Sequence, residues 1–217
     1  MTDIAANLVA VQARIAAAAR AAGRAPEEIE LVAGSKEGPA DAVVAALAAG
    51  QRAFGENRAQ ELLAKIDRMD AAPPVTPVWH FIGRLQRNKV KAIAPHVALW
   101  HSVDRAELGT EIARHAPGAH VLVQVNVAGE DRKGGCPPGE VASLVETLVA
   151  LGLAVDGLMT VPPLAGDPRP HFAALRDLAT RGGLPVLSMG MSSDFEAAIG
   201  EGSTLVRVGR AVFGPRP

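Results

Sequence analysis

The chain has 217 residues, 48% of them apolar and 21% charged, with 22 basic against 23 acidic side chains. That balance gives no large field for gathering nucleic acid or an anionic membrane, though it leaves room for small basic clusters, and at this length roughly 70% of the unfolded surface is buried without disulfide staples. Only 3% of residues are aromatic and none is tyrosine, so chemistry that needs a phenolic base is excluded.

In chain order, Ile4, Leu8, Val11 and Ile15 recur at helical spacing, which predicts an amphipathic packing helix over about residues 2–23 in place of a signal peptide. Eight short apolar runs follow: Glu30 to Ser35, Arg52 to Gly55, Val78 to Ile82, Val97 to Trp100, Val121 to Val127, Val155 to Met159, Pro185 to Met189 and Leu205 to Val208. Helical patterns separate them. Pro39 and Asp41 open the first and Asn57 begins the second, with Glu61 on its first turn. Asp104 with Glu107, and Ser193 with Glu196, have capping-box spacing, and Pro137 and Pro138 precede a helix near Val141 to Leu151. Strands alternating with helices predict a parallel sheet. The competing open doubly wound sheet needs a glycine-rich nucleotide loop, and no GxGxxG or GxxxxGK occurs. The expected fold is therefore one (β/α)8 TIM barrel of trimmed size spanning residues 1–217.

No apolar run reaches the roughly 18 to 20 residues of a membrane span. The single cysteine, Cys136, cannot form an intramolecular disulfide, which fits a reducing, cytoplasmic location. Six histidines without HxH or HExxH spacing argue against a metal site. With no obvious apolar exposed patch, the simplest expected state is a monomer.

Functional groups of such barrels sit at the C-terminal ends of strands. Lys36 closes the first run; it either snorkels to solvent or stands in a partly desolvated pocket as a neutral amine able to form a Schiff base. Ser188 to Asp194 combines a strand end, a small turn and a serine-rich helix start, the way N–H groups and hydroxyls are presented to phosphate, or else an ordinary cap. Arg207 lies within the last strand, where a buried guanidinium needs a carboxylate or a ligand acceptor, and Gly209 beyond it allows a close approach to the backbone. An aldehyde for the lysine, a phosphate for the last loops and a ring nitrogen for the arginine are united in pyridoxal 5′-phosphate. Asn57 either touches the cofactor or caps a helix, and His80 either faces the pocket or is a satisfied core histidine. The basic run Arg84, Arg87, Lys89 and Lys91 reads as a solvated face, with weak anion binding as the minor option.

Leu31 to Lys36, Phe54-Gly55-Glu56-Asn57, Trp79 to Gln86, Gly157-Leu158-Met159-Thr160, Ser188 to Ser192, Val206-Arg207-Val208-Gly209 and Phe213-Gly214 together resemble the YggS/PROSC family of pyridoxal phosphate homeostasis proteins. The resemblance implies a barrel of the alanine-racemase type without the racemase's second domain, with the cofactor on Lys36. It also implies a role in binding, buffering or delivering the cofactor, with PLP-dependent apoenzymes as partners and no established catalytic reaction. Residues and resemblance together give a cofactor-binding set of Lys36, Asn57, His80, Met159, Ser192, Ser193, Arg207, Gly209 and Arg210. Gly34, Ser193 and Arg210 depart from the family's usual pattern, standing for a bulkier aliphatic residue, a glycine and a small hydroxyl residue respectively. An amino-acid racemase is the alternative function, but the related racemases use a tyrosine as one of two bases and this chain has none. A phosphosugar-binding barrel enzyme, with Lys36 as an aldolase-type base, is the third class.

Overall fold

The computed structural model describes residues 2–36, 38–69, 75–130 and 133–214. Eight parallel strands close into a barrel in sequence order: β1 Glu30–Gly34, β2 Ala53–Glu56, β3 Val78–Phe81, β4 Val97–Val103, β5 His120–Gln124, β6 Ala154–Met159, β7 Val186–Met191 and β8 Leu205–Val208. The helices are α1 Ile4–Ala21, α2 Ala40–Ala48, α3 Ala59–Met69, α4 Arg87–Ile93, α5 Ala106–His115, α6 Val141–Ala150, α7 Arg169–Gly182, α8 Phe195–Gly200 and α9 Arg210–Phe213. The expected (β/α)8 barrel is thus the observed fold. No described helix is long and apolar enough to cross a membrane.

All eight expected runs form strands, but two extend further by at least two residues. β4 continues three residues past Trp100 and β7 two residues past Met189. In β4, His101 and Ser102 break the apolar run at a register shift and pairing resumes at Val103, so hydrophobicity alone stops short. Neither expected capping box forms. α5 has Arg105 at its N-cap, and Asp104 instead pairs with the Arg105 guanidinium. α8 starts after Asp194, whose carboxylate accepts from the Met191 N–H at 2.5 Å, and Glu196 turns outward to Arg14.

α1 is capped by Asp3, which accepts from the Ala6 N–H, and buries Leu8, Val11, Ile15 and Ala19. It packs on α2, α8 and α9. Since α9 is only one turn long, α1 completes the outer helical layer over the seam between β8 and β1. The main core lies between strands and helices, while Val32, Ala53, Leu122, Met159 and Leu205 form a separate apolar cluster within the barrel.

Barrel closure brings β6 and β7 together where a side chain would not fit. A Cβ on Gly157 would lie 1.9 Å from the Val186 carbonyl oxygen. Gly157→Ala is therefore expected to cost about 1–3 kcal/mol, lowering the thermal midpoint by about 2–4 °C per kcal/mol. Gly139→Ala, where a Cβ meets nothing within 4 Å, should leave the midpoint unchanged in the same calorimetric comparison.

Candidate functional site

The barrel interior carries a buried polar layer. Arg207, on β8, is 6% exposed. Its Nη1 donates to the Ser188 carbonyl at 2.6 Å and to Ser188 Oγ at 2.5 Å, and its Nη2 donates to the Thr160 carbonyl at 2.8 Å. No described carboxylate hydrogen-bonds it, although the field of Asp194 favours its charge. Burial outweighs that field and lowers its pKa to about 10, so the guanidinium remains charged at neutral pH.

Ser188 continues the chain of contacts. His101 Nδ1 lies 2.8 Å from Ser188 Oγ, and His101 Nε2 lies 3.0 Å from His80 Nδ1. A guanidinium can only donate, which directs the serine proton to His101 Nδ1. His101 then carries its proton on Nε2 and gives it to His80 Nδ1, leaving the His80 Nε2 proton at the far end. That is the tautomer assignment that satisfies every member with neutral rings. Burial pushes the His80 pKa down to about 4; it pushes His101 well below the ordinary range, with the His80 and Arg207 charges adding to the effect.

A second buried cluster closes the ends of β1 and β2. Ser35 Oγ donates to Glu56 Oε1 at 2.5 Å, while Lys65 from α3 pairs with the same oxygen and donates to the Ser35 carbonyl at 2.6 Å. Glu56 is fully buried, and its Oε2 has no hydrogen-bond partner among the described residues. Burial raises the Glu56 pKa, opposed chiefly by Lys65. Ser35 immediately precedes Lys36, so the cluster fixes the backbone from which Lys36 projects.

The expected site residues fall into three groups. Lys36, half-buried, occupies the turn after β1; Ser192, half-buried, and Ser193, exposed, occupy the turn after β7; Gly209 and the exposed Arg210 follow β8. All of these lie at the C-terminal ends of their strands. Asn57 is half-buried after β2, two residues before α3 begins. His80, Met159 and Arg207 are buried, Met159 within the interior apolar cluster and His80 against His101. His80 also lines a cavity at the opposite, N-terminal end of the barrel, beside Glu30, Leu99 and Leu205. The close approach at Gly209 is to β1: a Cβ there would lie 2.8 Å from the Gly34 carbonyl oxygen, whereas one on Gly34 would make ordinary contact with Gly209 Cα at 3.6 Å.

His101, Ser188, Thr160, Glu56 and Lys65 are absent from the sequence-derived set. Extending the fourth strand by alternation beyond Trp100 would have turned His101 inward like Leu99; nothing local marks Lys65, one of several polar residues on an amphipathic helix. Cys136 is buried, and burial raises its thiol pKa to about 11, so it is no base at neutral pH. No group of three or more His, Cys, Asp or Glu among the described residues is arranged for a metal.

Barrel and site define a class, which comparison makes specific. The family model described as "Alanine racemase, N-terminal domain" matches residues 6–217. A pyridoxal phosphate homeostasis protein from Pseudomonas aeruginosa is 47% identical over 226 residues, covering 100% of this chain and 97% of that protein. One from Escherichia coli K12 is 41% identical over 229 residues, covering 100% and 98%. The solved structure of PipY from Synechococcus elongatus with PLP bound has a TM-score of 0.83 at 33% identity, covering 97% of this chain and 100% of that one. The chain belongs to the pyridoxal phosphate homeostasis protein family, within the alanine racemase N-terminal domain class.

Two outcomes follow from the buried groups. The folded pKa of His80 lies below its unfolded value, so its contribution is present above pH 6.5 and lost as pH falls towards 4. On the order of 3 kcal/mol should disappear across that window, read from urea midpoints, and His80→Gln should flatten the loss. Lys65→Met strands Glu56 as a lone buried charge and should destabilise by about 3–5 kcal/mol, whereas adding Glu56→Gln should recover most of it.

Proposed function

We propose that this chain binds pyridoxal 5′-phosphate at the barrel mouth as a Schiff base on Lys36 and serves as an intracellular carrier and buffer of that cofactor. The observation that carries the proposal is Arg207, a buried guanidinium held by carbonyls and a hydroxyl and by no described carboxylate hydrogen bond, on the strand adjacent to the one that ends at Lys36. The names of the relatives and the PLP bound to PipY support the same cofactor.

The donor set fits the group. Lys36 supplies an amine that condenses with an aldehyde, releasing one water. The turn carrying Ser192 and Ser193 offers hydroxyl and N–H donors to a phosphate, and Gly209 and Arg210 offer a second turn with a guanidinium. Arg207 donates and cannot give up its proton at neutral pH, so it is suited to an unprotonated ring nitrogen. When bound, the cofactor supplies an aldehyde and an electron-withdrawing ring, and an unprotonated ring nitrogen makes that ring a weaker electron sink. Met159 contributes apolar wall, Asn57 an amide at the rim, and His80 a position in the chain that holds Ser188 and Arg207.

Storage without turnover is supported by what the chain lacks in acid/base equipment. It has no tyrosine, Cys136 is held protonated, and both buried imidazoles are engaged. In this reading the whole chain acts as one cytoplasmic, monomeric unit, and the recipients are apoenzymes that need the cofactor.

Adding the cofactor should produce a Schiff-base absorbance band, and borohydride should fix the adduct on Lys36 in a peptide map. Lys36→Ala should abolish both. Mapping of the wild-type adduct to another lysine overturns the assignment. Incorporation of solvent deuterium at the α-carbon of amino acids at enzyme-like rates overturns the non-catalytic role.

A further inference from the structure

A basic concavity of about 470 Å³ lies between the loops that follow β2 and β3 and the start of α5. Arg58, Arg84, Lys89 and Arg105 line it together with the amides of Asn57 and Gln86, and no carboxylate is among its lining residues. Arg58 is matched by Glu61 at 3.5 Å and Arg105 by Asp104. Arg84 and Lys89 have no ion pair among the described residues, so the concavity carries uncompensated positive charge on a chain whose formal net charge is -1.

The walls are braced. Ser102 Oγ donates to the Gly83 carbonyl at 2.5 Å, and Arg105 Nη2 donates to the Leu85 carbonyl at 3.3 Å, pinning the β3–α4 loop from both sides of Arg84. The first turn of α3, through Arg58, Ala59 and Gln60, faces the same space. A concavity within the roughly 300–1,000 Å³ of small-molecule sites, lined by donors, suits a compact dianion better than a flat protein surface. Guanidinium forks match phosphate oxygens in pairs.

We propose that this concavity is a second anion site on the mouth face, distinct from the Lys36, Ser192 and Arg210 cofactor site, that takes a small phosphate monoester. The basic run of residues 84–91 is then more than a solvated face. Two of its members, Arg84 on the β3–α4 loop and Lys89 on α4, supply charge with no ion-pair partner among the described residues. The inference stands independently of the Schiff base on Lys36.

The test is a titration of the full-length 15N-labelled chain at low ionic strength with inorganic phosphate, glycerol 3-phosphate and glycerol. Saturable amide shifts are expected at residues 58–60 and 84–89 with both phosphates and none with glycerol. Tighter binding of the ester identifies an organic phosphate as the source, and equal binding identifies free phosphate. Arg84→Gln/Lys89→Gln should weaken binding at least tenfold, and the charge-retaining Lys89→Arg, which leaves the Arg84 fork in place, should keep it within about threefold. Shifts confined to residues 190–193 and 209–210 would overturn the proposal, because those are the turns proposed to hold the cofactor's phosphate. Equal affinity in the glutamine variant, or loss in the charge-retaining one, also overturns it.

Discussion

A guanidinium enclosed in a barrel must be solvated by protein, and much of the interior is arranged around that demand. Arg207 reaches from β8 across to the ends of β7 and β6, so its charge rests on the Ser188 and Thr160 carbonyls and not on a counter-ion. It also uses Ser188 Oγ as an acceptor, and the serine hydroxyl proton is satisfied when it goes to His101. Burial keeps both imidazoles neutral, and at His101 the Arg207 charge adds to the effect. One buried charge thus bears on the tautomers of two histidines contributed by β3 and β4.

The strand ends obey the same logic with opposite sign. Glu56 is the buried anion, and Lys65 from α3 with Ser35 from the end of β1 supply its partners on one oxygen only. The pair therefore ties a helix to two strands and fixes the chain immediately before Lys36. Register completes the arrangement: Val32 on β1 is level with Arg207 on β8, so Lys36 emerges four residues further towards the C-terminal end on the neighbouring strand. The tight passage of Gly209 past the Gly34 carbonyl keeps that seam closed.

Most of the fold was legible because its signals are local. Apolar runs, the patterns between them and the absence of a nucleotide loop identify a barrel, and the strand ends then nominate Lys36, Ser192, Ser193 and Arg210 as mouth residues. The failures were local too. Asp104 and Ser193 have capping-box spacing, yet Arg105 takes the Asp104 carboxylate, and Asp194, one residue later, takes the cap position with its side chain turned back to Met191. His101 was missed because the polar residues that end β4 lower its apolarity without ending its ladder.

By itself the sequence determined the alternation that builds the barrel, the residues at its strand ends, and the acid/base types available, with tyrosine excluded outright. Only the tertiary structure decided what holds those residues. The partners of Arg207 lie 19 and 47 residues away along the chain, and Lys65 meets Ser35 across 30. Which side chains share a layer depends on strand register and barrel closure. These are set by packing over the whole sheet, so no local pattern of residues encodes them.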